Sequence, residues 1–178
     1  MKQVSCWLLI LIVLIGFVPT TSGAADIGKV GDIGQIALPV AAVLMTASQN
    51  DREGFYQFVK SFGATMGITC GLKYGISSGR PNGGKHSFPS GHTAAAFSGA
   101  AFIQQRYGWG YGAPAYTLAG LVGYSRVSTK NHWWRDAIAG ATIGIGTNLV
   151  FTKKHEKEFR VKIIPTGDGA IALVIYEF

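Results

Sequence analysis

Two histidines, each followed or preceded by a partner of useful type, are the residues best placed to do chemistry in this chain. His132 precedes Asp136 by four positions, so on a helix the two share one face. A carboxylate bonded to one imidazole nitrogen fixes the tautomer and leaves the other nitrogen free to attack. His92 directly follows Pro89-Ser90-Gly91, a helix-opening turn that presents a hydroxyl and unpaired backbone amides to an anion. From there an imidazole can give a proton to a leaving oxygen. His86 has no such partner nearby and remains a substrate-side residue only.

The charges around these histidines are one-sided. From Lys60 to Asp136 the chain carries Lys60, Lys73, Arg80, Lys85, Arg106, Arg126, Lys130 and Arg135, against Asp136 as its one carboxylate. Such a segment attracts an anion. A phosphoryl group in transfer spreads negative charge over three equatorial oxygens, so its catalysis needs fixed cations and an in-line nucleophile. Arg80 and Arg126 each offer a planar fork to two oxygens, and Lys73 offers a point charge. Any one of them alone is an ordinary surface cation, and a Pro-Ser-Gly cap alone is commonplace. Together they read as a phosphate site with a histidine nucleophile.

The elements that must position this set are helical. Asp26 to Gly34 is a glycine-rich lead-in, and Ile36 to Ala47 is apolar enough for a buried helix. Asp51 is placed to cap a helix from about Glu53 to Tyr74. On that helix Gly63, Gly67, Gly71 and Gly75 recur every four residues. Glycine inside a helix costs about 1 kcal/mol against alanine, so the repeat predicts close packing of a neighbouring helix within the molecule, in preference to a membrane dimer face. Ser77 to Ser87 is a loop, and a helix runs from Pro89 to Gln105. A glycine-aromatic turn follows at Tyr107 to Gly112, then helices over Pro114–Ser125 and from near His132 to Phe151, the last with Gly140 and Gly144 on one face. His155 belongs to a charged, solvated stretch, and Val161–Ile164 with Ala170–Tyr176 read as a terminal hairpin.

Bulk properties narrow the partners. At 178 residues the chain suits one domain, with 48% hydrophobic and 14% charged residues and a net charge of +7. Its mean hydropathy of +0.25 is high for a soluble protein and low for a wholly embedded one. The basic residues are interleaved with apolar and glycine-rich sequence and form no nucleic-acid module, so nucleic acid is not expected as a partner. Lys2, the apolar run Val4–Val18 and the small residues up to Ala24-Ala25 read as a signal peptide over residues 1–24, with a single domain over 25–178. Cleavage would remove Cys6 and leave Cys70 alone, so no disulfide is implied. One carboxylate and scattered histidines make no divalent-ion site, so neither a metal nor another cofactor is expected.

The three clusters Lys73-x6-Arg80-Pro81, Pro89-Ser90-Gly91-His92 and Ser125-Arg126-x5-His132-x3-Asp136 resemble the signature of the type 2 phosphatidic acid phosphatases. That family shares a helical fold with vanadium-dependent haloperoxidases and bacterial class A acid phosphatases. The resemblance covers 64 of 178 residues, with all three motifs intact and in order. The elements read from the residues make an all-α bundle of about five helices with a small C-terminal β-hairpin, in keeping with the helical fold that the resemblance implies. The resemblance also implies His132 as a nucleophile forming a phosphohistidine, Asp136 orienting it, and His92 as the general acid. Lys73, Arg80, Ser90, Gly91 and Arg126 would hold the phosphate oxygens.

The expected activity is metal-independent hydrolysis of a lipid-linked or other phosphomonoester or pyrophosphate. The alternatives are vanadate-dependent halide oxidation and a glycine-packed membrane structural protein without activity. A serine hydrolase fits less well, because neither Ser90 nor Ser125 lies in Gly-x-Ser-x-Gly. Several helices have apolar runs short of the ~20 residues that a membrane span needs. The chain is therefore expected at a membrane surface, exported, with its site outside the cytoplasm. Selectivity would lie in the Asn82–Phe88 loop, the Trp109 region and Trp133-Trp134, whose rings can meet an acyl chain or pack as core.

Overall fold

The computed structural model describes residues 24–155, 159–166 and 169–176. Among them run five helices: α1 (Ala24–Ser48), α2 (Arg52–Gly75), α3 (Gly91–Tyr107), α4 (Trp109–Ser128) and α5 (Trp134–Phe151). Beyond them the backbone pairs β1 (Phe159–Thr166) with β2 (Gly169–Tyr176), antiparallel, Phe159 opposite Tyr176 and Thr166 opposite Gly169. The signal-peptide reading lies outside the described residues, except for Ala24, which opens α1.

Helix α3 occupies the centre because its sequence is small on every side. Ala94, Ala95, Ala96, Ala100 and Ala101 are all buried, and a helix apolar all round belongs inside. It packs against α1, α2, α4 and α5. Phe102 and Ile103 fill the lower core with Leu38, Met45 and Phe58, and each such side chain contributes about 1.5–3 kcal/mol on burial. A polar seam fixes the helices in register. Thr65 Oγ1 on α2 lies 2.6 Å from Thr147 Oγ1 on α5, and Asn148 Nδ2 donates to the Ser98 carbonyl of α3 at 3.0 Å.

Glycines set how close the helices come, but not the glycines expected. A Cβ at Gly63, Gly67, Gly71 or Gly75 would meet nothing within 4 Å, so the repeat on α2 faces outward and the expectation of internal packing fails. The contacts that admit no side chain lie elsewhere. A Cβ at Gly144 would come 2.7 Å from both Ala94 O and Ser98 N of α3, and one at Gly99 would come 2.8 Å from Pro39 N of α1. A helical glycine pays its cost of about 1 kcal/mol for backbone approach only where a neighbour arrives.

Two segments read as irregular are helical. Asp26–Gly34 belongs to α1, where Gly31 rests on Ser125 and Arg126. Gly112, against Gln104, lies inside α4, so only Gly108, with φ of 92°, separates α3 from α4. Asp51 caps α2 as expected, its side chain accepting from Gly54 N–H. His155 is not a free surface residue: its Nδ1 lies 3.4 Å from Asp51 Oδ2 and its N–H donates to the Arg106 carbonyl.

Candidate active site

The end of the bundle where α2 and α4 finish and α3 and α5 begin gathers the expected residues. Asp136 sits in the first turn of α5 and accepts the Trp133 N–H at 3.0 Å, which starts the helix with a carboxylate against its positive end. His132 lies two residues before α5, not on it, so the shared helical face expected for the pair does not exist. A different constraint brings them together. The His132 N–H donates to the Arg126 carbonyl at 3.0 Å, which hangs the imidazole from the end of α4. Its Nδ1 then comes 3.6 Å from Asp136 Oδ2.

Ser87 completes this contact, and nothing in the sequence reading marked it. Its fully buried hydroxyl donates to Asp136 Oδ2 and lies 3.5 Å from His132 Nδ1. The only signal available was its position three residues before Ser90. Burial depresses the His132 imidazole, and the charges of Lys73 and Arg80 push it further, down to about 4, against the opposing pull of Asp136. At neutral pH the ring is uncharged, with Nδ1 turned towards Ser87 and Asp136.

The cations arrive from α2 and the loop behind it. Lys73, in the last turn of α2, donates through Nζ to the His86 carbonyl at 3.2 Å, while His86 Nδ1 lies 3.1 Å from the Lys73 carbonyl. The substrate-side histidine thus serves to hold Lys73. Partial burial, then the neighbouring Arg80 charge, lower the Lys73 pKa. The loop closes on itself through Arg80 N–H to Gly84 O at 2.7 Å and Arg80 Nε to Lys85 O at 3.2 Å. Ser90 caps α3, accepting from the Thr93 N–H and hydroxyl, and its own N–H donates to the Asp136 carbonyl at 3.0 Å. That last bond ties the start of α3 to the start of α5.

Arg126 and His92 meet a residue that the sequence reading passed over. Arg126 is buried, with Nε on Ser125 Oγ, Nη2 on the Gly28 carbonyl and Nη1 on Asp32 Oδ1 at 2.8 Å. Three of its five N–H groups are thereby engaged, leaving two for an anion. The same Asp32 Oδ1 lies 3.2 Å from His92 Nε2. Burial, then the Arg126 charge, lower the His92 pKa, while Asp32 opposes them. Lys73 acts electrostatically on both His132 and His92, so the two imidazoles share one cationic neighbourhood despite lying forty positions apart in the chain. The lead-in reading of Asp26–Gly34 is what hid Asp32: a helix there delivers it to the site.

A family model described as the PAP2 superfamily matches residues 7–160. The chain belongs to that superfamily. Among curated proteins, this PAP2 chain is 29% identical to a lipid A 4'-phosphatase of Helicobacter pylori, over 78% of this chain and 75% of the relative. It is 33% identical to a lipid A 1-phosphatase of Porphyromonas gingivalis, over 58% of this chain and 28% of that longer protein. The crystal structure of Aquifex aeolicus LpxE superposes with a TM-score of 0.61 at 21% identity, covering 79% of this chain and 91% of that one, which shows the shared helical fold. The family and the relatives make the PAP2 chain a phosphatase, as its three motifs imply.

Proposed function

We propose that this PAP2 chain removes a phosphate group from a phosphorylated lipid at a membrane surface, through a covalent phosphohistidine. One observation carries the reading: His132 is buried, with Nδ1 3.6 Å from Asp136 Oδ2 and 3.5 Å from Ser87 Oγ, within the field of Lys73 and Arg80, and burial and those charges favour its uncharged form. An uncharged imidazole is a nucleophile at neutral pH, and the cations favour the charge that builds on the phosphoryl oxygens. Lys73, Arg80, Arg126 and the amides at Ser90-Gly91 hold those oxygens. His132 Nε2 attacks phosphorus, and the P–O bond to the lipid breaks as His92 passes a proton to the departing oxygen. Water, giving a proton back to His92, then cleaves the P–N bond and releases phosphate.

A lipid is favoured over a soluble ester by the surface beside the site. Trp133 and Trp134, which follow His132 directly, are exposed, and Tyr124 stands against Trp134, so these rings are available to acyl chains instead of forming core. Helix α1 is, by length and composition, apolar enough over Ile27–Ser48 to cross a membrane. The names of the curated relatives make lipid A the first substrate class to try. Purified protein, given bis-phosphorylated lipid A, phosphatidic acid and a soluble phosphomonoester in separate assays, should release inorganic phosphate fastest from a lipid. His132→Ala should release none above background. Release by the His132→Ala protein at near the wild-type rate would remove the nucleophile from the reading.

A further inference from the structure

We propose that Asp32, delivered by α1, is a positioning residue for His92: it fixes the tautomer of the imidazole for its acid step and opposes the cations that would strip its proton. The proposal rests on the reading of His92 as proton donor and adds to it a partner on a helix outside the three motifs. Asp32 Oδ1 lies 3.2 Å from His92 Nε2 and 2.8 Å from Arg126 Nη1. A carboxylate oxygen only accepts, so the nitrogen facing it carries a hydrogen. Nε2–H is then committed to Asp32, and the proton that can be transferred resides on Nδ1 of the imidazolium. When the ester P–O bond breaks, the Nδ1–H bond breaks with it and the proton goes to the leaving oxygen. The ring is left as the neutral Nε2–H form, still held by Asp32 and ready to take a proton from the attacking water.

The electrostatic need for such a partner is plain from what else faces His92. Arg126 on α4 and Lys73 on α2 are both positive, and together with burial they disfavour the imidazolium. Asp32 on α1 is the negative group that opposes them. Without it, a general acid set between two cations would give up its proton too early in the pH range. The close approach of α1 that makes the contact possible occurs at Gly31, where any side chain would collide with Ser125 and Arg126.

The test is Asp32→Asn, compared with His92→Gln and wild type. In proton NMR of the detergent-solubilised protein, with the His92 signal assigned by its loss in His92→Gln, His92 should titrate at lower pH in Asp32→Asn, by about one unit. In wild type the neutral ring should be the Nε2–H tautomer. In kinetics, the alkaline limb of kcat/KM on a lipid phosphate should move to lower pH by a similar amount. The loss should also be larger for that alkyl leaving group than for p-nitrophenyl phosphate, whose phenolate needs no proton. An unshifted His92 titration in Asp32→Asn, or an Nδ1–H tautomer in wild type, overturns the proposal even if phosphatase activity is normal. A shifted titration with a His92→Gln protein equally impaired on both leaving groups keeps the Asp32–His92 contact but removes His92 from the acid role.

Discussion

Arg106 grips Asp51 with two arms of its guanidinium, Nε to Oδ2 at 2.7 Å and Nη2 to Oδ1 at 2.6 Å, with both side chains buried. The pair joins the α1–α2 turn to the end of α3, and Arg106 Nη1 extends it to the Lys153 carbonyl beyond α5. Arg106 lies fourteen positions along α3 from His92, or about 21 Å of helix, so this cation stands apart from the anion site proposed for its sequence neighbours. Arg106→Met should destabilise the fold by about 3–5 kcal/mol, because it leaves a buried carboxylate without its partner. Below its lowered melting temperature the protein should keep its kcat. Thermal unfolding with activity measured on the same sample checks both; a large kcat loss in the folded variant would tie the far end of the bundle to catalysis.

The same pair makes stability depend on acid. Burial raises the Asp51 pKa, but hydrogen bonds from Arg106, Gly54 and Tyr107 and the Arg106 charge outweigh it, leaving the carboxyl below 3.8. A depressed carboxyl stabilises the fold above its unfolded pKa, and this stabilisation is lost as pH falls through the folded value. Wild type should therefore lose stability steeply below about pH 4. Asp51→Asn should be weaker at neutral pH and show a shallower slope in that acid range. Parallel slopes for the two proteins would mean that Asp51 titrates alike folded and unfolded.

His132 should set the acid side of the rate profile. Its imidazole is pushed down to about 4, chiefly by burial and then by Lys73 and Arg80. The nucleophile must be uncharged, so kcat/KM should rise with pH through that region, before the alkaline limb set by His92 begins. Lys73→Met removes one of the charges that depress it. In that variant the acid limb should move to higher pH, while KM rises through weaker phosphate binding. An acid limb that stays in place would assign it to another group.

Two glycine substitutions separate packing that matters from packing that does not occur. Gly144→Ala would drive a Cβ to 2.7 Å from Ala94 O and Ser98 N, both backbone atoms of the central helix. Displacing α5 from α3 should cost about 1–3 kcal/mol, and activity should fall too, since Asp136 rides on α5 and Ser90 on α3. Gly67→Ala meets nothing within 4 Å, so it should leave activity intact and raise stability by up to about 1 kcal/mol. Melting temperatures of the two variants should move in opposite directions; a destabilised Gly67→Ala would show that the outward face of α2 is covered in the working protein.

What was legible in the chain follows from how far each signal reaches. The residues of the proposed anion site stand out because they carry charge of one sign within one segment, and Asp51 could be read as a cap because capping is local. The α2 glycine repeat misled because spacing along one helix says nothing about whether a neighbour arrives on that side. Asp32 and Ser87 were missed for the converse reason. Neither stands in a recognisable local pattern, and each matters only through a contact made across the fold, Asp32 with Arg126 94 positions away and Ser87 with Asp136 49 positions away. His132 and Asp136 do come near each other, but by another route than the one expected: a bent approach to α5 brings them together, not a shared helical face.

Ser87 gives the sharpest test of that bent approach. Asp136 is fully buried, and its Oδ2 takes hydrogen bonds from the Ser87 hydroxyl and the Trp133 N–H, while His132 Nδ1 stands slightly farther off at 3.6 Å. Ser87→Ala deletes one donor and leaves the β-carbon in place, so Oδ2 keeps only the backbone hydrogen bond, with the Arg135 Nε 3.6 Å from Oδ1. The carboxylate should then swing towards the imidazole, because an ionised oxygen inside the protein seeks the nearest remaining N–H. Two forces act on the rate: a closer Asp136 makes His132 more basic, and a looser Asp136 holds the ring less well. Orientation should dominate, as small displacements of a reacting group are costly. The expected result is a kcat about tenfold lower, of the size seen when a supporting hydrogen bond is removed, with KM nearly unchanged and the acid limb of the profile shifted to higher pH. Steady-state kinetics across pH would decide it, since a variant with unaltered kcat and acid limb makes the Ser87 hydroxyl a passive filler between His132 and Asp136.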